Sequence, residues 1–530
     1  MWTIREFLSV AIAAGGFVLP ACGDDTRSGG TDAGADADGD TDADADTDTN
    51  ACGDGEIWDV DCGAGCELCD DGNNFGGDYC DSDCSTSGWH AFYGSGSGED
   101  GGCSVAADAS GNIYVSGYSS SSWVGPGSEN PLHAWSGDGD LFVLKLSSSG
   151  DYRWHTFYGG GSGTGSRSSV AVDAGGDVYV SGYPSATWDG PGGESPLHEH
   201  SGSGGLYVLK LSSDGEYQWH TFYGCGSDNG EGNPLALDAS GGVYVTGHSY
   251  DTWSGPGDAA PLHEHSGYGD AHIVKLNSNG EYQWHTFYGS DHWDYGNAIA
   301  VDVSGNVYVT GESNYSWNGP GGEYPRHPGN TTSLWADFFV LKLASNGEYQ
   351  WHTFYGYIGD DSSAGIATDS GGHVYVIGAS EGQWYEAPTP LHGYFEDAGS
   401  FVLKLTGDGM YGWHTFYGSG APKSIAAVAG VLVAGVSNSG WIGPDEESPL
   451  HAHSGNVDLF VLEMSSSGSY QWHTFFGSPS TDTGESIAAT DGDGIYVAGM
   501  SEATWSGPSG ESPLHEHSGS VDIAVLKLAR

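Results

Sequence analysis

Apolar and polar residues alternate along most of this chain in short runs of period two, and no stretch carries the period of a helix. Ser169-Val-Ala-Val-Asp173 and Asp177-Val-Tyr-Val-Ser181 flank Ala174-Gly175-Gly176, and two such runs about a glycine turn predict a β-hairpin. Leu206-Tyr-Val-Leu-Lys-Leu211 and Glu216-Tyr-Gln-Trp-His-Thr-Phe222 predict a second hairpin around Ser213-Asp214-Gly215. The unit is therefore four antiparallel strands, a to d. It recurs: the text WHTFYG, or a near variant, begins at Trp89, Trp154, Trp219, Trp284, Trp351, Trp413 and Trp472, with spacings of 65, 65, 65, 67, 62 and 59. A further stretch of similar length runs from Trp472 to Arg530, so seven copies fill residues 85–530.

Four-stranded repeats of this length predict an all-β fold, a seven-bladed β-propeller whose radial closure leaves only short protected edges. A linear solenoid would need polar caps at its ends, and none is visible. The phasing also predicts closure. The body opens with a lone d strand, Trp89-His-Ala-Phe-Tyr93, and stops after a c strand, Val525-Leu-Lys-Leu528. The first strand can complete the last blade and cover its open edge.

The elements Val301 to Gly311 (VDVSGNVYVTG), Asp140 to Leu146 (DLFVLKL) and the aromatic strand before each tight glycine resemble the bacterial β-propeller repeat family known as SBBP. The resemblance runs over about 440 residues. It implies a secreted or surface-exposed propeller and no particular catalytic activity.

Composition then bears on location and partners. Thirteen Lys+Arg face 71 Asp+Glu, a net charge of −58, which excludes a nucleic-acid surface built on basic patches and opposes adsorption to anionic lipid. Nineteen Trp and 30 Tyr argue against disorder, because disordered chains are poor in aromatics. No run of about 18 apolar residues is present, as a transmembrane helix requires. Residues 1–21 read as an export signal, with Arg5 ahead of an apolar stretch from Phe7 to Leu19. The stretch ends in Leu19-Pro20-Ala21-Cys22, which resembles the bacterial lipobox. That resemblance implies diacylation of Cys22 and a protein lipid-anchored in the bacterial cell envelope, at the outer membrane or cell surface. Residues 22–51 are low-complexity, with ten Asp and no large apolar residue after Cys22, and predict an extended acidic tether.

Residues 52–84 hold Cys52, Cys62, Cys66, Cys69, Cys80 and Cys84. In an exported protein, six clustered cysteines predict a disulfide module, and fifteen pairings are open. The text around Cys52, Cys69, Cys80 and Cys84 resembles the cysteine-rich repeat of myxobacterial surface proteins, to which Cys62 and Cys66 are extra. Cys103 and Cys225 lie in different repeats and are expected to be thiols.

Strand order puts the short a–b and c–d turns at one end of the propeller and the d–a and long b–c connections at the other. The b–c loop between Gly182 and Leu206 exceeds the usual ~12–15 residues of a plain connection, and long loops on a rigid scaffold are where binding residues gather. These loops share the text Trp188-Asp-Gly-Pro-Gly-Gly-Glu-Ser-Pro-Leu-His198-Glu-His200, with its Trp at Trp123, Trp188, Trp253, Trp317, Trp384, Trp441 and Trp505. These Trp either pin each loop to its blade, the first expectation, or form a ring of aromatic platforms. Four loops carry a His pair: His198 and His200, His263 and His265, His451 and His453, His515 and His517. The i, i+2 spacing in an extended chain turns both rings one way. The pairs offer hydrogen bonding within the loop, or two ligands of a zinc or copper site. Lys145, Lys210, Lys275, Lys342, Lys404 and Lys527 share one strand-c position, with Glu463 in the remaining copy. Their stems are expected to pack while each ammonium meets an acid or a carbonyl.

No GxSxG, HExxH or Walker-type loop occurs, so no catalytic residue is singled out. The leading function is a non-enzymatic binding module of an expected monomer, taking a glycan or protein ligand on the long-loop face, with the membrane met only through the acyl anchor. Repetition favours it, since multivalency uses many similar weak sites. The body alone carries 50 acids against 11 bases, which suits a basic or polyhydroxylated ligand. One alternative is a carbohydrate-active hydrolase or lyase using Glu381, Glu386, Glu396 or Asp397 of the divergent fifth b–c loop. Another is a metal-stabilised envelope scaffold. No cofactor is required by the leading reading, and calcium or zinc held by loop acids and His belongs to the latter alternative.

Overall fold

A computed structural model describes residues 88–529 apart from 138, 160–167, 185, 201–203, 225–232, 330–334, 357–358, 385–387, 395–398, 491–493 and 509. The signal, the tether, the six-cysteine module, Cys225, Glu386, Glu396 and Asp397 lie outside these residues.

The described chain forms seven four-stranded antiparallel sheets. Blade 1 consists of strand a (Asp100–Ala107), b (Ile113–Ser119), c (Asp140–Leu146) and d (Tyr152–Tyr158). Blades 2 to 6 repeat this order over residues 169–223, 235–288, 294–355, 361–416 and 421–476. Blade 7 takes strands a to c from Asp482–Thr490, Gly494–Ser501 and Asp522–Leu528, and its strand d is Trp89–Tyr93. The closing register pairs Trp89 with Lys527 and Tyr93 with Ile523, so the ring is shut by main-chain bonding between the two ends of the body. Strands a of neighbouring blades touch one another, which places them innermost.

The core lies between blades. In one cluster Tyr114, Leu141, Val143 and Trp154 of blade 1 pack on Val178, Val180, Leu209 and Phe222 of blade 2. Because both faces of every blade are covered this way, strand c reads as a continuous apolar run rather than an alternating one, as in Leu141-Phe-Val-Leu144. The strand-c lysines tie the blades together. Lys145 lies over the Tyr114 ring at 4.9 Å and donates to Ser213 O in the next blade's c–d turn (2.7 Å). The Trp154 indole N–H donates to the same carbonyl (3.3 Å). Tyr114 in turn donates its hydroxyl to Asp108 (3.2 Å).

The b–c loops behave differently from a simple elaboration of one end. After leaving strand b they descend along the outside of their own blade and bond to strand d: Leu132 N donates to His155 O (2.9 Å) and Phe157 N to His133 O (3.2 Å). The same two contacts recur at Leu197, Leu262, Arg326, Leu391, Leu450 and Leu514. Strand d is the outermost strand, and half of its main-chain groups face away from strand c. The loop supplies their partners and covers an edge that would otherwise invite pairing with another chain.

Candidate functional site

The recurrent loop Trp are buried. Six of the seven are 8% exposed or less, and Trp441 is half-buried. Each indole lies on the strand-d His of its own blade, as Trp188 does on His220 (4.0 Å between centroids, planes 11° apart). That His accepts a hydrogen bond from a Tyr hydroxyl (Tyr217 to Nδ1, 2.8 Å) and donates from Nε2 to the Trp188 carbonyl (2.8 Å). Burial strips the imidazole of water and pulls its pKa down, to about 4 at His90, His155, His352, His414 and His473. The Trp384 N–H donates to Ser380 Oγ (3.1 Å) and Asp361 Oδ1 (3.3 Å). At these positions the indole faces are occupied by the protein itself, which leaves no platform for a ligand.

The loop His pairs split across the blade. His198 stacks on Tyr223 (5.0 Å) and its Nδ1 bonds Phe222 O (2.8 Å). His200 meets the edge of Phe222 (5.7 Å) and its Nε2 bonds Gly204 O (2.9 Å). Phe222 and Tyr223 belong to the cores on opposite sides of blade 2, so the two rings do not converge. The other three pairs follow the same plan. His263 stacks on Tyr288 (5.2 Å), whereas His265 meets the edge of Phe287 (5.6 Å) and its Nε2 bonds Ser249 O (2.9 Å). His451 stacks on Phe476 (5.7 Å), whereas His453 meets the edge of Phe475 (5.6 Å) and its Nε2 bonds Ser437 O (3.1 Å). His515 lies against Tyr93 of the closing strand (5.1 Å), and His517 against Phe92 (5.8 Å) with its Nε2 on Ser501 O (2.9 Å).

The spacing alone predicted both rings of a pair on one side, and this expectation is corrected in all four loops. His200, His265, His453 and His517 each turn away from the preceding His, because the loop straddles the strand-d edge instead of running as a free extended chain. Their rings bond main-chain carbonyls of their own blade, the hydrogen-bonding role, and do not pair as metal ligands. Among the described residues no three His, Cys, Asp or Glu side chains gather as a metal site.

Where the repeat breaks, aromatics come to the surface. Tyr268, near the end of the third b–c loop, is 63% exposed and stacks on Trp293, 37% exposed, in the connection to blade 4 (5.8 Å, 25°). Tyr250 meets Trp293 edge-on (5.3 Å, 90°), and Tyr295 lies parallel to it at 6.5 Å (11°). His292 packs on Tyr315 (4.3 Å) and bonds Asp291 (2.9 Å). The scaffold under this patch is common to the repeat: Asp294 N donates to Gly269 O (2.8 Å), as Asp482 N does to Val457 O and Asp100 N to Val521 O. Only the side chains differ. The residues equivalent to Tyr268 are Ser520, Asn456 and Trp335, and those equivalent to Trp293 are Glu99, Thr481 and Asp360. A search for recurring residues passes over this patch, because its signal is departure from the repeat at the b–c and d–a loops.

A second irregularity lies on the rim between blades 4 and 5. In most blades the loop Leu folds over the glycine of the next c–d turn, so that a β-carbon on Gly215 would meet Leu132 at 2.5 Å and one on Gly280 would meet Leu197 at 2.6 Å. Arg326 replaces that Leu in blade 4, and Gly409 is left facing only Trp351. A groove of about 610 Å³ opens there, lined by Tyr324, Arg326, Tyr349, Trp351, Met410 and Tyr411.

Residues 283–315 match the beta-propeller repeat family SBBP, so the expected repeat is present within a seven-bladed propeller. Among curated proteins none matches the chain. Similar solved structures include a protein of unknown function from Dyadobacter fermentans, at 12% identity over 83% of this chain and 98% of that one, with a TM-score of 0.38. Sqt1 from Chaetomium thermophilum is 10% identical over 83% of this chain and 100% of that one, with a TM-score of 0.38. A PL25 ulvan lyase is 11% identical over 77% and 93%, again at 0.38.

Proposed function

We propose that the protein is a non-enzymatic binding module that holds a polyhydroxylated ligand, a glycan, on the aromatic patch formed by the third b–c loop and the connection to blade 4. The observation that carries this reading is the exposed stack of Tyr268 on Trp293, set on a loop scaffold whose equivalents elsewhere carry mostly small or polar residues. Exposed aromatic faces stack on the C–H faces of sugars, and neighbouring polar groups such as Asp291 and His292 can meet hydroxyls. The net charge of −58 favours neutral or basic glycans over polyanions. The patch lies on b–c and d–a loops, the connections the sequence pointed to, but not at their repeated Trp.

The test is affinity electrophoresis and calorimetry with a panel of neutral and amino-sugar polysaccharides, on the wild type and on Tyr268→Ala and Trp293→Ala. One lost aromatic contact is worth about 1 kcal/mol, so each variant is expected to bind about fivefold more weakly with an unchanged melting temperature. Binding that survives both substitutions would remove the patch from the reading. The rim groove then becomes the next site to test, through Tyr324→Ala and Arg326→Ala.

We further propose that the chain is exported and anchored through acyl groups on Cys22, with the acidic tether holding the propeller off the membrane. The support is the apolar stretch from Phe7 to Leu19 ahead of Cys22. Metabolic labelling with palmitate, expected for the wild type and lost in Cys22→Ser, tests it.

A further inference from the structure

Between several blades two aspartates are buried against each other, and nothing in the binding reading uses them. Asp458, first in strand c of blade 6, and Asp482, first in strand a of blade 7, are both 0% exposed. Their Oδ1 and Oδ2 atoms lie 2.7 and 3.0 Å from the place a β-carbon on Gly477 would take. The junction of blades 7 and 1 has Asp522 and Asp100 about Gly94, at 2.7 and 2.9 Å, and that of blades 3 and 4 has Asp270 and Asp294 about Gly289, at 2.6 and 2.8 Å. Asp337 and Asp361 flank Gly356 in the same way. In the sequence the equivalent positions of the remaining junctions are Asp140 and Gly165, Gly205 and Gly230, and Gly399 and Gly420. A strand-a acid thus occurs only where strand c carries one.

The hydrogen bonds show which oxygen is held back. In three of the pairs one carboxylate oxygen of the strand-c acid is saturated, at Asp270, at Asp458 and at Asp522, where Oδ2 accepts from Ser518 N (2.6 Å) and Ser518 Oγ (3.1 Å). The strand-a acid is likewise held, Asp482 Oδ2 by Ser478 N (2.6 Å) and Oγ (2.7 Å), and its Oδ1 by Ser501. The Oδ1 atoms of Asp270, Asp458 and Asp522 are buried, and no protein donor reaches them. At the lone Asp140 the same oxygen does receive a bond, from Ser136 Oγ (2.8 Å). The orphaned oxygen therefore goes with the pair and points at the partner acid across the glycine. Main-chain carbonyls join it: a β-carbon on Gly519 would meet Ser95 O at 2.6 Å, Asp522 Oδ1 at 2.9 Å and Gly98 O at 3.5 Å. Ser478 O and Ser480 O converge with Asp458 Oδ1 on Gly455 in the same way.

Two buried carboxylates with carbonyl oxygens turned toward them form a concentration of negative charge that burial alone does not sustain. All the donors are hard oxygens of mixed type in irregular array, the set that suits calcium and suits zinc or copper poorly. We propose that the four acid pairs Asp522/Asp100, Asp270/Asp294, Asp337/Asp361 and Asp458/Asp482 are inter-blade calcium sites that pin neighbouring blades at the long-loop end. Each ion is held by one carboxylate from each blade and by the carbonyls of the connection between them, with water completing the six to eight oxygens calcium takes.

The test is calcium binding to the full chain by equilibrium dialysis and calorimetry, with Asp458→Asn/Asp482→Asn as the junction variant and Asp140→Asn as the control. The wild type is expected to bind four ions beyond any held weakly by the tether. The junction variant should bind one fewer, and the control the same number. Hydrogen exchange on the wild type gives a readout independent of any variant's folding. At ten times the dissociation constant, calcium is expected to slow exchange about tenfold at residues 454–458 and 478–482, where opening releases the ion, and to leave 136–140 unchanged. An unchanged stoichiometry in the junction variant, or no protection on adding calcium, overturns the proposal and leaves the pairs as carboxyls sharing a proton.

Discussion

The indole of Trp123 lies flat on the imidazole of His155, with centroids 3.9 Å apart and planes within 9°. One residue belongs to a long loop and the other to the outermost strand, and hydrogen bonds fix the ring's tautomer. Tyr152 OH donates to Nδ1 (2.7 Å), so Nε2 carries the proton and donates to Trp123 O (3.1 Å). The neutral ring thus satisfies a buried carbonyl and offers a flat surface at once. His155→Phe retains a ring and leaves both the carbonyl and the Tyr152 hydroxyl without their partner. We expect a loss of about 1–3 kcal/mol per blade so altered, read as a lower urea midpoint with an unchanged slope.

Acid acts on two sets of groups in opposite senses. Burial lowers the strand-d His from 6.5 to about 4 in five blades. Between those values the unfolded chain binds protons the native chain does not, so stability falls as pH drops from 6.5 toward 4. Burial raises Asp270 and Asp294 from 3.8 to about 7. There the native chain binds the proton first, and stability rises as pH falls from 7 toward 4. Asp270→Asn/Asp294→Asn in EDTA should therefore be more stable than the wild type at pH 8. It should also lose stability more steeply toward acid, by about 1.4 kcal/mol per pH unit for each proton no longer taken up. Urea titrations at pH 8, 7, 6 and 5 measure both effects.

The propeller and its closure were legible because they rest on what repeats: seven WHTFYG strands and a body that opens on d and stops on c. The course of the b–c loops was not. Their text has no alternation, and the bonds that lay Leu132 and His133 along strand d are main-chain bonds, indifferent to side-chain pattern. For the same reason the i, i+2 spacing of His263 and His265, or of His451 and His453, gave the wrong direction for the second ring. The patch at Tyr268 and Trp293 was hidden for the opposite reason, since one junction has aromatics at both positions where the equivalents carry at most one, Trp335. The acid pairs did leave a trace, the constant interval of 24 residues from Asp270 to Asp294, Asp337 to Asp361 and Asp458 to Asp482. It becomes visible only once strands c and a of adjacent blades are known to meet.

Glu463 finds its reason in the seventh blade. In five blades the strand-c Lys lies 4.8–5.0 Å from a strand-b Tyr ring, and that Tyr bonds the Asp of the a–b turn. In blade 6 the Tyr is Leu432 and the Asp is Val428. The next blade also has no c–d turn, since its strand c ends at Leu528 and its strand d begins at Trp89. The ring, the acid and the accepting carbonyl are all missing, so a Lys has nothing to hold. We expect Glu463→Lys to bring no gain in melting temperature, whereas Lys145→Met should cost about 1–2 kcal/mol.

Closure should be the point at which the ring fails as a whole. The strand Trp89–Tyr93 supplies the d strand of blade 7, accepts from Leu514 N at His90 O (2.8 Å) and donates from Phe92 N to His515 O (3.1 Å). Its Trp89 indole reaches blade 1 through Ser148 O (3.1 Å). Removing residues through Tyr93 takes all of these at once. It bares the edge of Asp522–Leu528, uncovers Ile523 and Val525, which Ala91 and Tyr93 cover, and frees the loop bearing Trp505. A bare apolar edge pairs with whatever strand is near. The shortened chain is therefore expected to elute as dimers and larger species and to unfold over a broader temperature range. Adding the missing strand as a synthetic peptide should restore the monomer, since it is held by pairing and packing rather than by its place in the chain. A truncated chain that stays monomeric with an unchanged, sharp transition would show that the other six blades hold the ring without it.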